Sequence, residues 1–249
     1  MSRPASPTRA MVALTAMELR LTMRRGENVL VTMIVPAAVL VFFATAGIVP
    51  GVAGRPVDFL LPGAIALAVI ATGLVNLGIA TAYERNYGVL KRLGASPLPA
   101  WALIGAKLAA VLVLEVFQVV LLLAVSVLVL GWAAPPTVSI ANFVVAMLLG
   151  TAAFAGLGLL LAGMLRAEAT LALANALFLG FLMVGGIVLP VDHLPAPLGA
   201  IATVLPAAAL SEALRAALGG GRDVGLPFVI LGAWGLVTAG LAVRSFRWE

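Results

Sequence analysis

Long apolar runs with few or no charged residues, separated by short charged segments, dominate the chain. Six of these runs match or exceed the ~20 residues with which a helix crosses ~30 Å of hydrocarbon. They lack the alternating pattern of a transmembrane barrel, and a spanning backbone must satisfy its own polar groups, so they predict helices. The predicted spans are residues 29–49, 59–82, 101–130, 138–165, 169–189 and 224–243. The pattern therefore predicts an all-α integral membrane protein with one transmembrane domain over residues 1–249.

The segment at residues 83–99 is the most charged part of the middle of the chain, and its pattern predicts an amphipathic helix. Tyr83, Tyr87 and Leu90 share one helical face, and Gly94 is placed to stop the helix. The polar side is predicted to carry Glu84, Arg85, Gly88, Lys91 and Arg92. A short amphipathic helix between two spans lies along the membrane surface and presents its polar face to water or to a partner.

Two further segments interrupt the regular alternation of spans and loops. Residues 10–25 predict an amphipathic helix at the membrane surface, leading into the first span. Residues 194–210 are uncharged, but three prolines interrupt them, so we expect a re-entrant or interfacial hairpin and not a seventh span. His193 and Ser211, at the two ends of this hairpin, are expected to be loop residues.

Composition excludes several classes of protein. The chain has 249 residues, of which 63% are hydrophobic and only 10% are charged, whereas a soluble domain has about a quarter charged residues. The net charge of +5 does not indicate a nucleic-acid partner, because the basic residues lie at the ends of the spans. There is no cysteine and only one histidine, so we expect no metal and no cofactor in this chain.

The basic residues also predict which side of the membrane each loop occupies. With six spans, twelve Lys and Arg residues lie on the side of the N-terminus and three lie on the other side. Cytoplasmic loops carry the excess of Lys and Arg. Both termini and the segment at residues 83–99 are therefore predicted to be cytoplasmic.

Polar residues inside the predicted spans are candidates for a functional site. Glu115 is the one acid well inside a span, Gln118 follows one helical turn later, and Asn76 lies in the second span. An ionisable group at this depth marks either a functional site or a paired contact between helices. One interpretation is a polar point on a transport path or a proton-carrying group; the other, which we favour, is hydrogen bonding between packed helices.

The residues of the charged segment resemble a known family. The motif is Glu84-Arg85-x-x-Gly88-Val-Leu-Lys91-Arg92-Leu-x-x-Ser-Pro-Leu-Pro, and a long helix with an early lysine, Lys107, follows it. This arrangement is similar to the first cytoplasmic loop of ABC type-2 transporter permeases. The order of the other segments fits the same family, and the whole chain resembles the small permeases of the daunorubicin-type exporters.

This resemblance implies a function and a set of partners. The charged segment would be the coupling helix that docks on an ABC ATP-binding subunit, present in two copies, and residues 10–25 would be the elbow helix. The chain would pair with a second permease, either an identical copy or a homologue. Together they would export a drug, antibiotic, lipid or glycolipid across the bacterial cytoplasmic membrane. ATP and magnesium would be held by the partner, which agrees with the lack of a phosphate-binding loop motif in this sequence.

Two other classes of function compete with this prediction. A proton-coupled secondary transporter would use Glu115 as its proton carrier, but the sequence shows no internal repeat and no further buried acids. An intramembrane enzyme would need a catalytic constellation, and neither paired carboxylates nor a Ser–His pair on one predicted face stands out.

Overall fold

The computed structural model describes residues 7–24, 26–47, 54–94, 100–220 and 223–245. Within these residues there is no β-strand, and the chain forms helices throughout, as the apolar runs predict. The helices are α1 (Pro7–Arg24), α2 (Gly26–Ala46), α3 (Pro56–Asn86), α4 (Val89–Gly94), α5 (Ala100–Leu128), α6 (Ile140–Met164), α7 (Ala167–Val184), α8 (Ala196–Ala202), α9 (Pro206–Arg215) and α10 (Gly225–Ser245). A short 3₁₀ turn, Val191–His193, lies between α7 and α8.

Among the described residues, five helices are long and apolar enough to cross a membrane, namely α3, α5, α6, α7 and α10. Helix α2 contributes a shorter apolar stretch, Thr32–Ala46. The chain is therefore a multi-pass membrane protein. The count of exactly six spans stays a prediction, because α8 and α9 together would also pass as one bent span.

Helix α3 is the centre of the bundle and packs against α2, α5, α6, α7 and α9. Its middle section, Ala71–Asn76, is π-helical. Glycines allow its neighbours to approach closely: a Cβ at Gly158 of α6 would lie 2.5 Å from the Gly73 oxygen, and one at Gly63 would lie 2.3 Å from the Ile187 oxygen. Small residues of this kind permit close packing between membrane helices, so the glycine-rich second span is the core helix.

The proline-rich segment after α7 forms two short helices. Their axes are bent by 76° at a break between Ala202 and Pro206, which confirms the predicted interruption. The predicted placement as a re-entrant element in the membrane stays a prediction. From the sequence we expected Ser211 to be a loop residue, and this was wrong. Ser211 is fully buried in α9, where its hydroxyl lies 2.7 Å from the Gly185 oxygen.

Helix α1 packs along the start of α5 and lies within the region predicted to hold the elbow helix. The Thr15 hydroxyl lies 3.4 Å from the Ala106 oxygen, and a Cβ at Gly105 would lie 3.3 Å from the Met11 sulfur. The predicted amphipathic helix is confirmed as a helix over Pro7–Arg24. Its location at the membrane surface stays a prediction.

The charged segment is not one continuous helix. Helix α3 ends at Asn86, Gly88 has a φ of +69°, and α4 begins at Val89. Because an α-helix requires negative φ, a residue in the left-handed region ends it. The break was not predicted, whereas the end of α4 at Gly94 was. Residues 95–99, with the predicted proline stop, lie outside the described residues.

Candidate coupling site

Lys107 on α5 is buried between two carboxylates from two other helices. Its ammonium lies 2.6 Å from Glu84 Oε2 at the end of α3 and 2.8 Å from Glu18 Oε1 on α1. The Lys107 side chain is only 3% exposed. A buried charge is tolerated when it is paired and hydrogen-bonded, and removing one partner from such a pair costs about 3–5 kcal/mol. We call Glu18, Glu84 and Lys107 the lysine cluster; it ties α1, α3 and α5 together.

Arg85, the next residue after Glu84, connects α3 to a different helix. Its guanidinium donates to the oxygen of Gly163 at 2.6 Å and to the oxygen of Leu165. These carbonyls lie at the C-terminal end of α6, where backbone oxygens have no partner within the helix and where positive charge is favourable. Two adjacent side chains at the end of α3 thus bind α5 and α6.

The structure divides the predicted polar face into two parts. Glu84 and Arg85 are partly buried and contact this chain. Their predicted contact with a partner stays a prediction. Lys91 and Arg92, on α4, are exposed. The predicted apolar face is also divided, because Leu90 is 1% exposed but Tyr87 is 69% exposed. Helix α4 therefore presents a basic surface beside an exposed tyrosine.

Gly88 has a role in the backbone that the sequence pattern did not predict. A Cβ added at Gly88 would meet nothing within 4 Å among the described residues, but the backbone φ of +69° favours glycine. The residue is therefore needed for the turn between α3 and α4, whatever surface lies opposite. The predicted close approach of a partner surface at Gly88 stays a prediction.

Glu115 on α5 is 1% exposed and contacts α6. The Thr151 hydroxyl oxygen lies 2.6 Å from Glu115 Oε2 and 2.8 Å from the Met147 oxygen. The Thr151 hydroxyl is the donor to Glu115 Oε2, and the Met147 carbonyl of its own helix is a second acceptor for the same hydroxyl. Glu115 Oε1 has no hydrogen-bond partner among the described residues. Glu115 is thus a contact between packed helices, the interpretation that we favoured.

Gln118 joins three helices at one point. Its amide nitrogen donates to the Thr32 oxygen of α2 at 3.1 Å, and its amide oxygen accepts from the Thr72 hydroxyl of α3 at 2.9 Å. Gln118 therefore hydrogen-bonds to two neighbouring helices. Asn76 is half-buried at the end of the π-helical section, and its side chain makes no hydrogen bond to any residue that the structure describes.

Two contacts of the candidate site residues were missed by sequence reasoning. Glu18 and Thr151 carry no signal of their own, since a charged residue in an amphipathic helix and a threonine in a span are both ordinary. Only the three-dimensional packing shows that they meet Lys107 and Glu115. No group of three or more His, Cys, Asp or Glu residues that could hold a metal occurs within the described ranges.

Comparison with known proteins agrees with this arrangement. Residues 9–218 match the family described as ABC-2 type transporter. The chain is 26% identical over 151 residues to the protein described as "Probable multidrug ABC transporter permease YbhS" from Escherichia coli, in strains K12 and O157:H7. This similarity covers 60% of the chain and 40% of the length of these relatives. Because the family match spans most of the chain, including the lysine cluster, the protein belongs to the ABC-2 type transporter family.

Proposed function

We propose that the protein is the permease subunit of an ATP-driven exporter in the bacterial cytoplasmic membrane. Its substrate is a hydrophobic or amphipathic molecule such as a drug, antibiotic, lipid or glycolipid. Two ABC ATP-binding subunits hold ATP and magnesium and perform the hydrolysis, and a second permease, identical or homologous, completes the membrane unit. Both termini and α4 lie in the cytoplasm. The family membership and the multidrug description of the relatives support this proposal.

The observation that carries the proposal is the pair of polar links at the end of α3. Glu84 is joined to Lys107 of α5, and Arg85 is joined to the last carbonyls of α6. A displacement of the turn between α3 and α4 therefore moves three membrane helices together. This is the mechanical property that a coupling segment needs.

The proposed mechanism follows from these contacts. The exposed Lys91 and Arg92 of α4 dock on the ATP-binding subunit. When ATP binding closes the two ATP-binding subunits, the turn around Gly88 moves with them. Glu84 and Arg85 transmit the movement to α5 and α6, and the cavity between the two permeases changes its access from one side of the membrane to the other.

The test uses the chain together with its ATP-binding subunit in lipid nanodiscs. Replacing Lys91 and Arg92 together with glutamate should weaken binding of the ATP-binding subunit and lower substrate-stimulated ATP hydrolysis. Single surface ion pairs contribute only about 0–1 kcal/mol, so the double reversal is needed. Arg20→Glu on α1 is a matched control, because Arg20 is another basic residue of a predicted cytoplasmic segment. Unchanged assembly and hydrolysis in the double variant would contradict the docking role.

A second candidate function is proton-coupled transport without ATP, with Glu115 as the proton carrier. The observation in its favour is a buried carboxyl group with one oxygen that has no partner among the described residues. Reconstituted permease alone, without any ATP-binding subunit, would then accumulate substrate in response to an imposed proton gradient. Substrate uptake that is lost in Glu115→Gln would favour this function over the exporter.

A further inference from the structure

A cavity of about 1040 Å³ opens at the end of α3 that lies away from the lysine cluster. Its wall includes the first turns of α3, the loop between α5 and α6, the 3₁₀ turn, α9 and the start of α10. Glu84 lies 26 residues beyond Asp58 along α3, so at 1.5 Å per residue the helix separates it from this cavity by roughly 40 Å. In the topology proposed above, the cavity faces the outside of the cell.

Part of the cavity wall is apolar. It contains the side chains of Phe59, Pro62, Trp132, Leu218, Leu226 and Ile230. Trp132 is 8% exposed, so most of its indole is covered by the protein. Cavities that bind small molecules have this volume and combine such apolar walls with a few polar groups.

The charged groups around the cavity are mostly acidic. Four carboxylates line it, those of Asp58, Asp192, Glu212 and Asp223. Asp58 and Asp192 are exposed, and neither carboxylate has a hydrogen bond or ion pair with any residue in the described part of the chain. Both are therefore oriented by solvent and available to a positively charged ligand.

The two arginines of the wall are held by the protein itself. Arg55 donates to the oxygens of Leu130 and Gly131, at 2.8 and 2.6 Å. Arg215 donates to the Gly186 oxygen and to Glu212, and its guanidinium carbon lies 3.8 Å from the centre of the Phe59 ring. Arg215 shows that an aromatic ring of this wall accepts a cation on its face. With four acids and two bases, the described lining has a net negative charge.

We propose that this cavity binds an amphipathic cation, with its apolar body against Trp132 and Leu218 and its positive charge between Asp58 and Asp192. The conclusion that such cations are the exported substrates rests on the proposed exporter function. The binding site itself belongs to a single permease chain, so it can be tested without the ATP-binding subunit.

The experiment compares two probes of the same size and shape but opposite charge. The full chain in nanodiscs of phosphatidylcholine is titrated with tetraphenylphosphonium and with tetraphenylborate, and tryptophan fluorescence reports occupation of the cavity beside Trp132. The protein should bind tetraphenylphosphonium saturably and more tightly than tetraphenylborate. The double variant Asp58→Asn/Asp192→Asn should bind the cation about tenfold more weakly, because an exposed charge contact is worth up to about a factor of five.

Glu168→Gln is the matched control, because Glu168 is an exposed acid at the start of α7 and does not line the cavity. Its affinity for the cation should equal that of the unmodified protein. Thermal unfolding of each variant checks that the fold is intact. The proposal would be overturned if the unmodified protein bound the two probes with equal affinity. It would also be overturned if the double variant bound the cation as tightly as the unmodified protein does.

The same probe separates this inference from the proposed function. If the permease binds tetraphenylphosphonium in the cavity but the assembled complex shows no transport or stimulated ATP hydrolysis with any substrate, the exporter function fails and the binding site stands. If stimulated hydrolysis occurs but the cavity variants bind the cation unchanged, the exporter function stands and the cavity is not the cation site.

Discussion

The Lys107 ammonium lies 2.6 Å from the Glu84 carboxylate, at a point where the lysine side chain is 3% exposed. The two residues are 23 positions apart and belong to helices α5 and α3. The segment between them contains α4, so the ion pair closes a loop around the turn that we propose to bind the ATP-binding subunit. A pair in this position connects α5 to that turn. We therefore expect α5 to follow a movement of the turn.

Removing the charge of Lys107 should destabilise the fold and weaken the stimulation of ATP hydrolysis by substrate. Lys107→Met leaves the carboxylates of Glu18 and Glu84 facing each other in a site with little water, and loss of one partner of a buried pair costs about 3–5 kcal/mol. We expect a lower midpoint of thermal unfolding and little substrate-stimulated ATP hydrolysis by the assembled complex.

The triple change Lys107→Met/Glu84→Gln/Glu18→Gln removes the unpaired charges and should recover most of the unfolding free energy. It should not recover the stimulation of ATP hydrolysis, because the link between α3 and α5 is gone. Full activity in the triple variant would show that the lysine cluster only stabilises the fold.

Arg85 should not be replaceable by lysine. Its planar guanidinium reaches the oxygens of Gly163 and Leu165 with two different nitrogens, whereas an ammonium is a single point charge. We expect Arg85→Lys to lose stimulated ATP hydrolysis nearly as far as Arg85→Gln, with binding of the ATP-binding subunit retained. Arg92→Lys on the exposed face of α4 is the control and should behave as the unmodified protein. A fully active Arg85→Lys variant would contradict the proposed link to α6.

Two substitutions at Gly88 distinguish the effect of backbone conformation on stability from the effect of side-chain size. At a φ of +69°, alanine costs about 1–2 kcal/mol, whereas asparagine adopts the left-handed region more readily. Gly88→Ala should therefore lower the midpoint of thermal unfolding more than Gly88→Asn does, although asparagine is larger. The opposite order would mean that steric contact, and not backbone strain, makes glycine necessary here.

Glu115→Gln should keep the fold and the ATP-dependent activity. Glutamine has the same shape, and its amide oxygen can accept from the Thr151 hydroxyl as the Glu115 carboxyl oxygen does. Glu115→Ala removes the hydrogen bond and leaves a cavity, so it should lower the free energy of unfolding by about 1–3 kcal/mol. ATP-dependent transport measured in both variants checks this, and loss of transport in Glu115→Gln alone would indicate a proton-carrying role.

The predicted sidedness can be checked by labelling in intact cells. Ser96→Cys, in the segment after α4, should resist a thiol reagent that does not cross the membrane. Ala134→Cys, in the exposed loop between α5 and α6, should react with it. Since the chain has no native cysteine, each reaction reports one position. Labelling of Ser96→Cys from outside would reverse the proposed orientation of the whole protein.

The sequence by itself determined the class of the protein and most of its helices. Apolar runs of membrane length can only be helical in lipid, and this one constraint predicts the spans, because it depends on local composition alone. The density of glycine in the second span also indicated close packing, and the structure shows that helix at the centre of the bundle. The family resemblance came from residues 84–99, where the spacing of charges and prolines is local as well.

Tertiary structure alone decided which charges are exposed and which contact other helices of the chain. In a helical pattern Glu84, Arg85, Lys91 and Arg92 look alike, but the packing of α3 against α5 and α6 buries the first two. The break at Gly88 was also invisible, because glycine is compatible with a helix as well as with a left-handed turn. Burial and pairing depend on residues far apart in the sequence, such as Glu18 and Lys107, whose meeting no local pattern encodes.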